Sequence, residues 1–222
     1  DVSHYVKVGS ALDNEAFERG TSVYPPSSVV PMLPHELSSG VCSLFENTDR
    51  YALSCVMEFS SSGDLMDCDV FQSVINSKKK MAYSKVNRLL DTDVPYGYEK
   101  FASELRLMNE FKEVLRQKRF REDSINFDTA RVGIELNELG RPISLYTEYR
   151  GEAEKLIEDY MLSANSATGR ICNDAQYGVF RVHDIPDVDK LIPTIGILKR
   201  LGIRIPKTND ITSQKFINEL IH

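Results

Sequence analysis

The chain has 222 residues, of which 41% are hydrophobic and 27% are charged, as is ordinary for a protein with an apolar core. Its net charge of −6 argues against a protein that coats nucleic acid with a basic face, but not against a basic channel beside an acidic site. No apolar run approaches the ~20 residues of a membrane-spanning helix. Four cysteines without zinc-type spacing predict reduced, mostly buried thiols in a cytoplasmic protein: Cys42, Cys55, Cys68 and Cys172.

A proline-rich stretch follows the first predicted helix. Residues 12–19 have helical composition, and Gly20 is a natural stop. Four prolines then fall within ten residues, which excludes a helix or a central strand. We expect an ordered, extended loop held against a core. Tyr24 in this loop is either a packing residue or an exposed, rigid aromatic platform.

The middle of the chain alternates between strand and helix patterns. After a short helix at 35–44 closed near Gly40, residues 51–59 and 65–75 predict a β-hairpin around a Ser/Gly/Asp turn. The basic run at 77–80 is typical of a solvated surface. A helix is predicted over 83–90 and a long one over 99–121. The long helix carries one apolar stripe: Phe101, Leu105, Met108, Phe111 or Lys112, and Leu115.

The last part repeats this pattern. Residues 130–136 and 142–149 predict a second hairpin. The elements expected after it are a helix over 151–176, a strand over 178–183, and helices over 188–201 and 213–221. Hairpins that alternate with long helices indicate a mixed α/β (α+β) fold in a single unit.

Six segments carry a family resemblance. They are DVSHYV at 1–6, GTSVYPP at 20–26, VVPMLPHELSSGVCSL at 29–44, MAYSKV at 81–86, KLIEDYMLSAN at 155–165 and FRVHDIP at 180–186. In this order they resemble the RNB nuclease domain of the ribonuclease II/ribonuclease R family, with the bacterial ribonuclease R branch most similar. Several colinear motifs are far more specific than any single short motif.

The resemblance implies a function for a longer parent protein. That parent would be a processive 3′→5′ exoribonuclease that hydrolyses single-stranded RNA to nucleoside 5′-monophosphates with Mg²⁺. Residues 1–222 would be the central part of its RNB domain, incomplete at both ends and inactive alone. The alternative is a non-catalytic RNA-binding or regulatory homologue, and a third interpretation is a packing scaffold without a ligand. We expect single-stranded RNA as partner, no membrane and no obligate protein partner.

The resemblance also implies roles for individual residues. Tyr24 and Phe127 would clamp the terminal bases, and Tyr83 and Glu158 would contact the 3′ nucleotide and favour ribose. From the residues alone, Phe127 could equally be a core residue, and Glu158 a solvent-facing or ion-paired one. His183 is given no catalytic role.

The metal ligands of the family are expected outside this chain. The resemblance places an aspartate cluster upstream and an arginine motif downstream, so no catalytic or metal-binding residue is assigned here. Asp67 and Asp69 alternate on a predicted strand, but solvent-facing acids explain them better. Two positions depart from the family pattern: Pro25, and Glu154 where the ribonuclease R branch often has histidine.

Overall fold

Long helices and two β-hairpins alternate along the chain. The computed structural model describes residues 1–222 except positions 27, 123, 126–130, 183, 209 and 222. The α-helices are α1 (Ala11–Arg19), α2 (Tyr83–Thr92), α3 (Ala102–Arg121), α4 (Glu152–Asp174), α5 (Val188–Arg200) and α6 (Gln214–Ile221). The strands are β1 (Asp49–Phe59), β2 (Leu65–Asn76), β3 (Arg131–Leu136) and β4 (Pro142–Glu148). Short helical turns cover Val2–His4, Glu36–Val41 and Glu99–Phe101. The predicted mixed fold class is confirmed.

The first hairpin packs its turn against α3. β1 and β2 are antiparallel from Asp49 opposite Asn76 to Phe59 opposite Leu65, close to the predicted bounds. Gly63 in the turn has a φ of 86°, and a Cβ there would lie 3.2 Å from Cγ1 of Val114 on α3. The turn therefore needs glycine both for its backbone conformation and for its close approach to the helix.

The second hairpin, β3–β4, is also antiparallel and connects α3 to α4. Every residue of β4 is exposed. Among the described residues each sheet has two strands, so neither hairpin is extended by a third.

The core lies where α2, α3 and α4 meet. Its buried side chains are Val86, Leu89, Tyr98, Ala102, Leu105 and Ala153. The apolar stripe predicted on the long helix supplies Leu105 and Leu115 to the interior, as helical spacing requires. The hydroxyl of buried Tyr98 accepts a hydrogen bond from the Ala82 N–H at 2.9 Å, which fixes the chain just before α2 begins.

Two buried charges join α3 to α4. Lys112 is fully buried, and its ammonium contacts Glu113 at 2.8 Å and also donates to Glu152. Burial lowers the pKa of Lys112, but the hydrogen bonds to both glutamates outweigh it and the net pKa is raised. The hydrogen bond from Lys112 lowers the pKa of Glu152 to about 2. The predicted stripe included either Phe111 or Lys112, and the residue fully buried there is the cation Lys112.

The second buried charge is Asp159, which is 1% exposed. Arg119 donates to its Oδ1, and Arg116 lies 3.9 Å from its Oδ2. Burial raises the pKa of Asp159, and the two guanidiniums oppose that shift. Two cations in the last turns of α3 thus serve this buried carboxylate.

Three local predictions are wrong in detail. Residues 178–182 contain no strand, because no described strand lies beside them and Val179 is fully exposed. The short helix expected at 35–44 is a π-helical turn over Glu36–Val41, distorted at Gly40. The cysteines are free, but three are half-buried and Cys172 is exposed, so they are not mostly buried.

The chain exposes an unusually large surface. Its accessible area is 16611 Å², whereas the scaling law for folded monomers gives about 10,000 Å² at 25.2 kDa. Large apolar side chains such as Val8, Phe17 and Tyr177 are more than 80% exposed. Much of the apolar surface is therefore in contact with water.

Candidate functional site

Tyr83 and Glu158 lie on one pocket, although 75 positions separate them in the sequence. The pocket has a volume of about 570 Å³ and lies between the start of α2, the end of β4 and the first half of α4. Its lining comprises Tyr83, Glu148, Tyr149, Arg150, Glu154, Ile157, Glu158, Met161, Leu162 and Asn165. Two phenols, one guanidinium and three carboxylates thus converge on a partly apolar wall.

Tyr83 is held at the pocket by the start of its helix. It is the first residue of α2, directly after Ala82, whose extended backbone is fixed by the hydroxyl of Tyr98. The side chain is 49% exposed, so its ring is available to a ligand. A second, apolar pocket of about 360 Å³ shares Tyr83 and Ile157 with the first and extends beneath α2 towards α3.

Glu158 is ion-paired inside the pocket. Nη1 of Arg150, which lies immediately before α4, donates to Oε2 of Glu158 at 2.9 Å. The two side chains are 28% and 40% exposed. The expectation that Glu158 is solvent-facing or paired therefore holds in both respects, and the pair faces the same cavity as Tyr83.

A hydrogen-bonded clamp joins α2 to α4 beside these residues. Nδ2 of Asn87 donates to Oε2 of Glu154 at 2.8 Å, and Oδ1 of Asn87 accepts from the Ala153 N–H at 2.7 Å. The Gly151 N–H donates to the same carboxylate at 3.1 Å. Asn87 thus caps the start of α4, where orphan N–H groups need acceptors.

Only part of this arrangement follows from the sequence. Glu154 was noticed as a departure from the family pattern, but Asn87 and Arg150 were not singled out. Helical spacing was the available signal, since Asn87 is four residues after Tyr83 and Glu154 is four residues before Glu158.

Tyr24 lies on a loop outside this pocket. The backbones of Val23 and Val30 exchange two hydrogen bonds of 2.9 Å, which close the proline-rich loop as an isolated antiparallel bridge. Tyr24 is 75% exposed, so the interpretation as a packing residue is wrong, and the loop is exposed rather than held against a core. Phe127, the expected partner of Tyr24, and His183 lie outside the described residues.

The described residues do not fit a metal site. No group of three or more His, Cys, Asp or Glu side chains among them could hold an ion. Asp67 and Asp69 are exposed on β2, and Asp67 accepts a hydrogen bond from the Cys68 N–H at 2.9 Å. None of the helices in the described part of the chain is long and apolar enough to cross a membrane.

The RNB domain model matches residues 1–222. The chain belongs to the RNB-domain family. The resemblance seen in the six sequence segments is thereby confirmed.

Ribonuclease R proteins are among the relatives. That of Thermotoga maritima is 42% identical over 207 residues, covering 92% of this chain and 29% of that protein. Ribonuclease R 1 of Lactococcus lactis is 39% identical, covering 98% of this chain and 27% of that protein. The structure of Mycoplasma genitalium RNase R with ribose methylated single-stranded RNA superposes with a TM-score of 0.93 at 27% identity, covering 99% of this chain and 35% of that one. The chain thus spans about a third or less of the length of these proteins.

Proposed function

We propose that this chain is the central, RNA-binding part of the RNB domain of a processive 3′→5′ exoribonuclease. The parent protein would hydrolyse single-stranded RNA to nucleoside 5′-monophosphates in the cytoplasm. The observation that carries the proposal is that Tyr83 and Glu158 line one pocket of about 570 Å³ in a chain of the RNB family. Two findings support it: ribonuclease R relatives are 39–42% identical, and a structural neighbour, Mycoplasma genitalium RNase R, was solved with bound RNA.

The pocket chemistry suits a ribose. The 2′-hydroxyl is a donor and an acceptor, so a carboxylate beside it can distinguish RNA from DNA. Glu158 supplies an acceptor and Tyr83 a half-exposed phenol on the same cavity. We assign these two residues to the 3′ nucleotide. The exposed ring of Tyr24 is assigned to base stacking, with Phe127 as its proposed partner.

We assign Mg²⁺ to ligands outside this chain, as the family resemblance implies. Among the described residues, no group of three or more His, Cys, Asp or Glu side chains could hold it. The metal would stabilise the charge that develops on the phosphate oxygens. The role of the described residues is therefore to hold the 3′ nucleotide and to distinguish ribose from deoxyribose. A non-catalytic RNA-binding or regulatory protein remains the alternative function, since binding alone requires the same pocket.

The test is degradation of a 5′-labelled single-stranded RNA with Mg²⁺, by this chain and by a longer polypeptide that includes the flanking sequences from its gene. We expect only the longer polypeptide to shorten the RNA from its 3′ end, and expect Glu158→Gln to reduce its preference for RNA over DNA. Activity of the 222-residue chain alone would mean that the metal site has been misplaced. Inactivity of both, with RNA binding retained, would favour the non-catalytic alternative.

A further inference from the structure

We infer that Arg150 is the positioning residue for ribose recognition: it holds the Glu158 carboxylate in the orientation that reads the 2′-hydroxyl. This rests on the ribose-reading role proposed above for Glu158. The observation behind this inference is the 2.9 Å hydrogen bond from Nη1 of Arg150 to Oε2 of Glu158 on the wall of the pocket.

The pairing leaves one oxygen of Glu158 available to a ligand. Oε2 is engaged by Arg150, whereas Oε1 has no hydrogen-bond partner among the described residues. A carboxylate oxygen can accept the hydroxyl proton of a ribose without displacing the guanidinium from the other oxygen. The ion pair thus presents the free oxygen to the cavity.

Arg150 also reduces the rotational freedom of Glu158. A half-exposed glutamate on a helix samples many rotamers, and fixing it during ligand binding costs conformational entropy. A charge-assisted hydrogen bond from a planar guanidinium restricts the carboxylate before the ligand arrives. The backbone beside Arg150 is also held in place, because the next residue, Gly151, donates its N–H to Glu154.

The sign of the charge supports the same role. Glu148, Glu154 and Glu158 line the pocket together with Arg150, so the carboxylates outnumber the cation. Arg150, the one guanidinium among the described lining residues, partly neutralises the charge of Glu158 and so reduces the repulsion between this wall and the phosphate of a nucleotide. Recognition of a neutral sugar hydroxyl by a fixed carboxylate fits this balance.

The test compares oligo-A probes that end in a ribose or a 2′-deoxyribose nucleotide, bound without divalent metal. The quantity measured is the ratio of the two affinities for the wild type, Arg150→Met, Arg150→Lys, Glu158→Gln and the double variant. We expect Glu158→Gln to reduce the ratio about tenfold, the scale of a hydrogen bond to a charged group. Arg150→Met should reduce it by about three- to tenfold, with Arg150→Lys in between. The double variant should be no lower than Glu158→Gln alone, because Arg150 acts through Glu158.

The matched control is Arg106→Met. Arg106 lies on α3 outside the pocket lining, and its substitution removes an exposed ion pair with Asp93 at 3.0 Å. It should keep the wild-type ratio. If Arg150→Met keeps that ratio while Glu158→Gln loses it, or if it weakens both probes equally, the positioning role is wrong. If Glu158→Gln itself keeps the ratio, or the wild type binds neither probe, the ribose site proposed above fails and this inference with it.

Discussion

Asn87 of α2 and Glu154 of α4 share a hydrogen bond of 2.8 Å. Asn87 lies one helical turn from Tyr83, and Glu154 one turn from Glu158, the two residues proposed to contact the ribose. Since side chains four apart lie on the same helix face, the bond joins the two helices directly beside the pocket. The distance between the proposed nucleotide contacts therefore depends on an amide and a carboxylate that need not touch RNA themselves.

Removal of this amide should loosen the start of α4. Asn87→Ala leaves the Ala153 N–H without its acceptor at a buried position, so we expect the free energy of unfolding to fall by about 1–3 kcal/mol. Urea denaturation measures the change. Asn14→Ala on exposed α1, whose amide makes only a 3.4 Å contact to the Gly9 carbonyl, is the matched control and should cost nothing measurable. Equal effects of the two substitutions would contradict the clamp.

The close contact at Gly151 offers an independent check of the same clamp. A Cβ at this position would stand 2.5 Å from Cγ of Asn87, although its φ of −84° is permitted to any residue. Gly151→Ala should therefore lower the melting temperature through a clash and not through backbone strain. In an Asn87→Ala background the added methyl group should cost much less. Additive losses in the double variant would show that Gly151 is required for another reason.

The ion pair of buried Lys112 with half-buried Glu152 should respond asymmetrically to substitution. Glu152→Gln leaves a fully buried ammonium with Glu113 as its one remaining carboxylate among the described residues, so we expect the free energy of unfolding to fall by about 2 kcal/mol or more. Lys112→Met fills the site with an apolar side chain of similar length, and Glu152 keeps its ion pair with Lys155 at 2.9 Å. The free energy of unfolding should therefore fall by less than about 1.5 kcal/mol. Urea titrations of both variants decide the order. A larger loss for Lys112→Met would contradict this account.

Acid should lower the free energy of unfolding partly because it protonates Glu152. Its pKa is about 2 in the fold, mainly because of the hydrogen bond from Lys112, against an ordinary value of 4.5. The stabilisation is complete above pH 4.5 and is lost as the pH falls from 4.5 towards 2. Asp159, whose pKa is raised, acts in the opposite direction. Glu152→Gln should flatten the dependence of unfolding free energy on pH between 5 and 3, whereas Asn14→Ala, which removes no titratable group, should retain the wild-type slope.

Tyr24 permits a binding test that is separate from stability. The ring is 75% exposed, so Tyr24→Ala should leave the melting temperature unchanged. If it stacks on a base, the affinity for oligo-A should fall about tenfold, within the 1–3 kcal/mol range of such stacking. Tyr24→Trp keeps an aromatic face and should bind like the wild type. Unchanged affinity in Tyr24→Ala would remove this residue from the proposed base clamp.

The pattern of neighbouring residues predicted most of the helices and strands, but not the charged side chains buried between them. The first hairpin and α3 follow from alternation and helical periodicity, which are properties of neighbouring residues. Lys112 could not be assigned as a buried cation, because its partner Glu152 is forty positions away. The contact of Arg119 could not be assigned for the same reason, because Asp159 lies on the next helix, forty positions away.

The candidate site was predictable to a similar degree. Tyr83 and Glu158 were proposed from the family resemblance, and the fold places both on one pocket. Arg150 gave no signal, since a single arginine before a helix is common and its distance to a carboxylate depends on the fold. Within the strand expected at 178–183, residues 178–182 show the converse limit: they have strand propensity but no described neighbouring strand to pair with, and they form no strand.

The large accessible area of the chain has a calorimetric consequence. The heat capacity change of unfolding scales with the area that folding removes from water. With 16611 Å² still exposed, this chain removes about three quarters of the area expected for a compact protein of its mass. Its unfolding should therefore show a heat capacity change about one quarter smaller than its length implies, with a correspondingly flatter stability curve. A polypeptide that covers the exposed apolar side chains should restore the missing heat capacity in proportion to the area it buries.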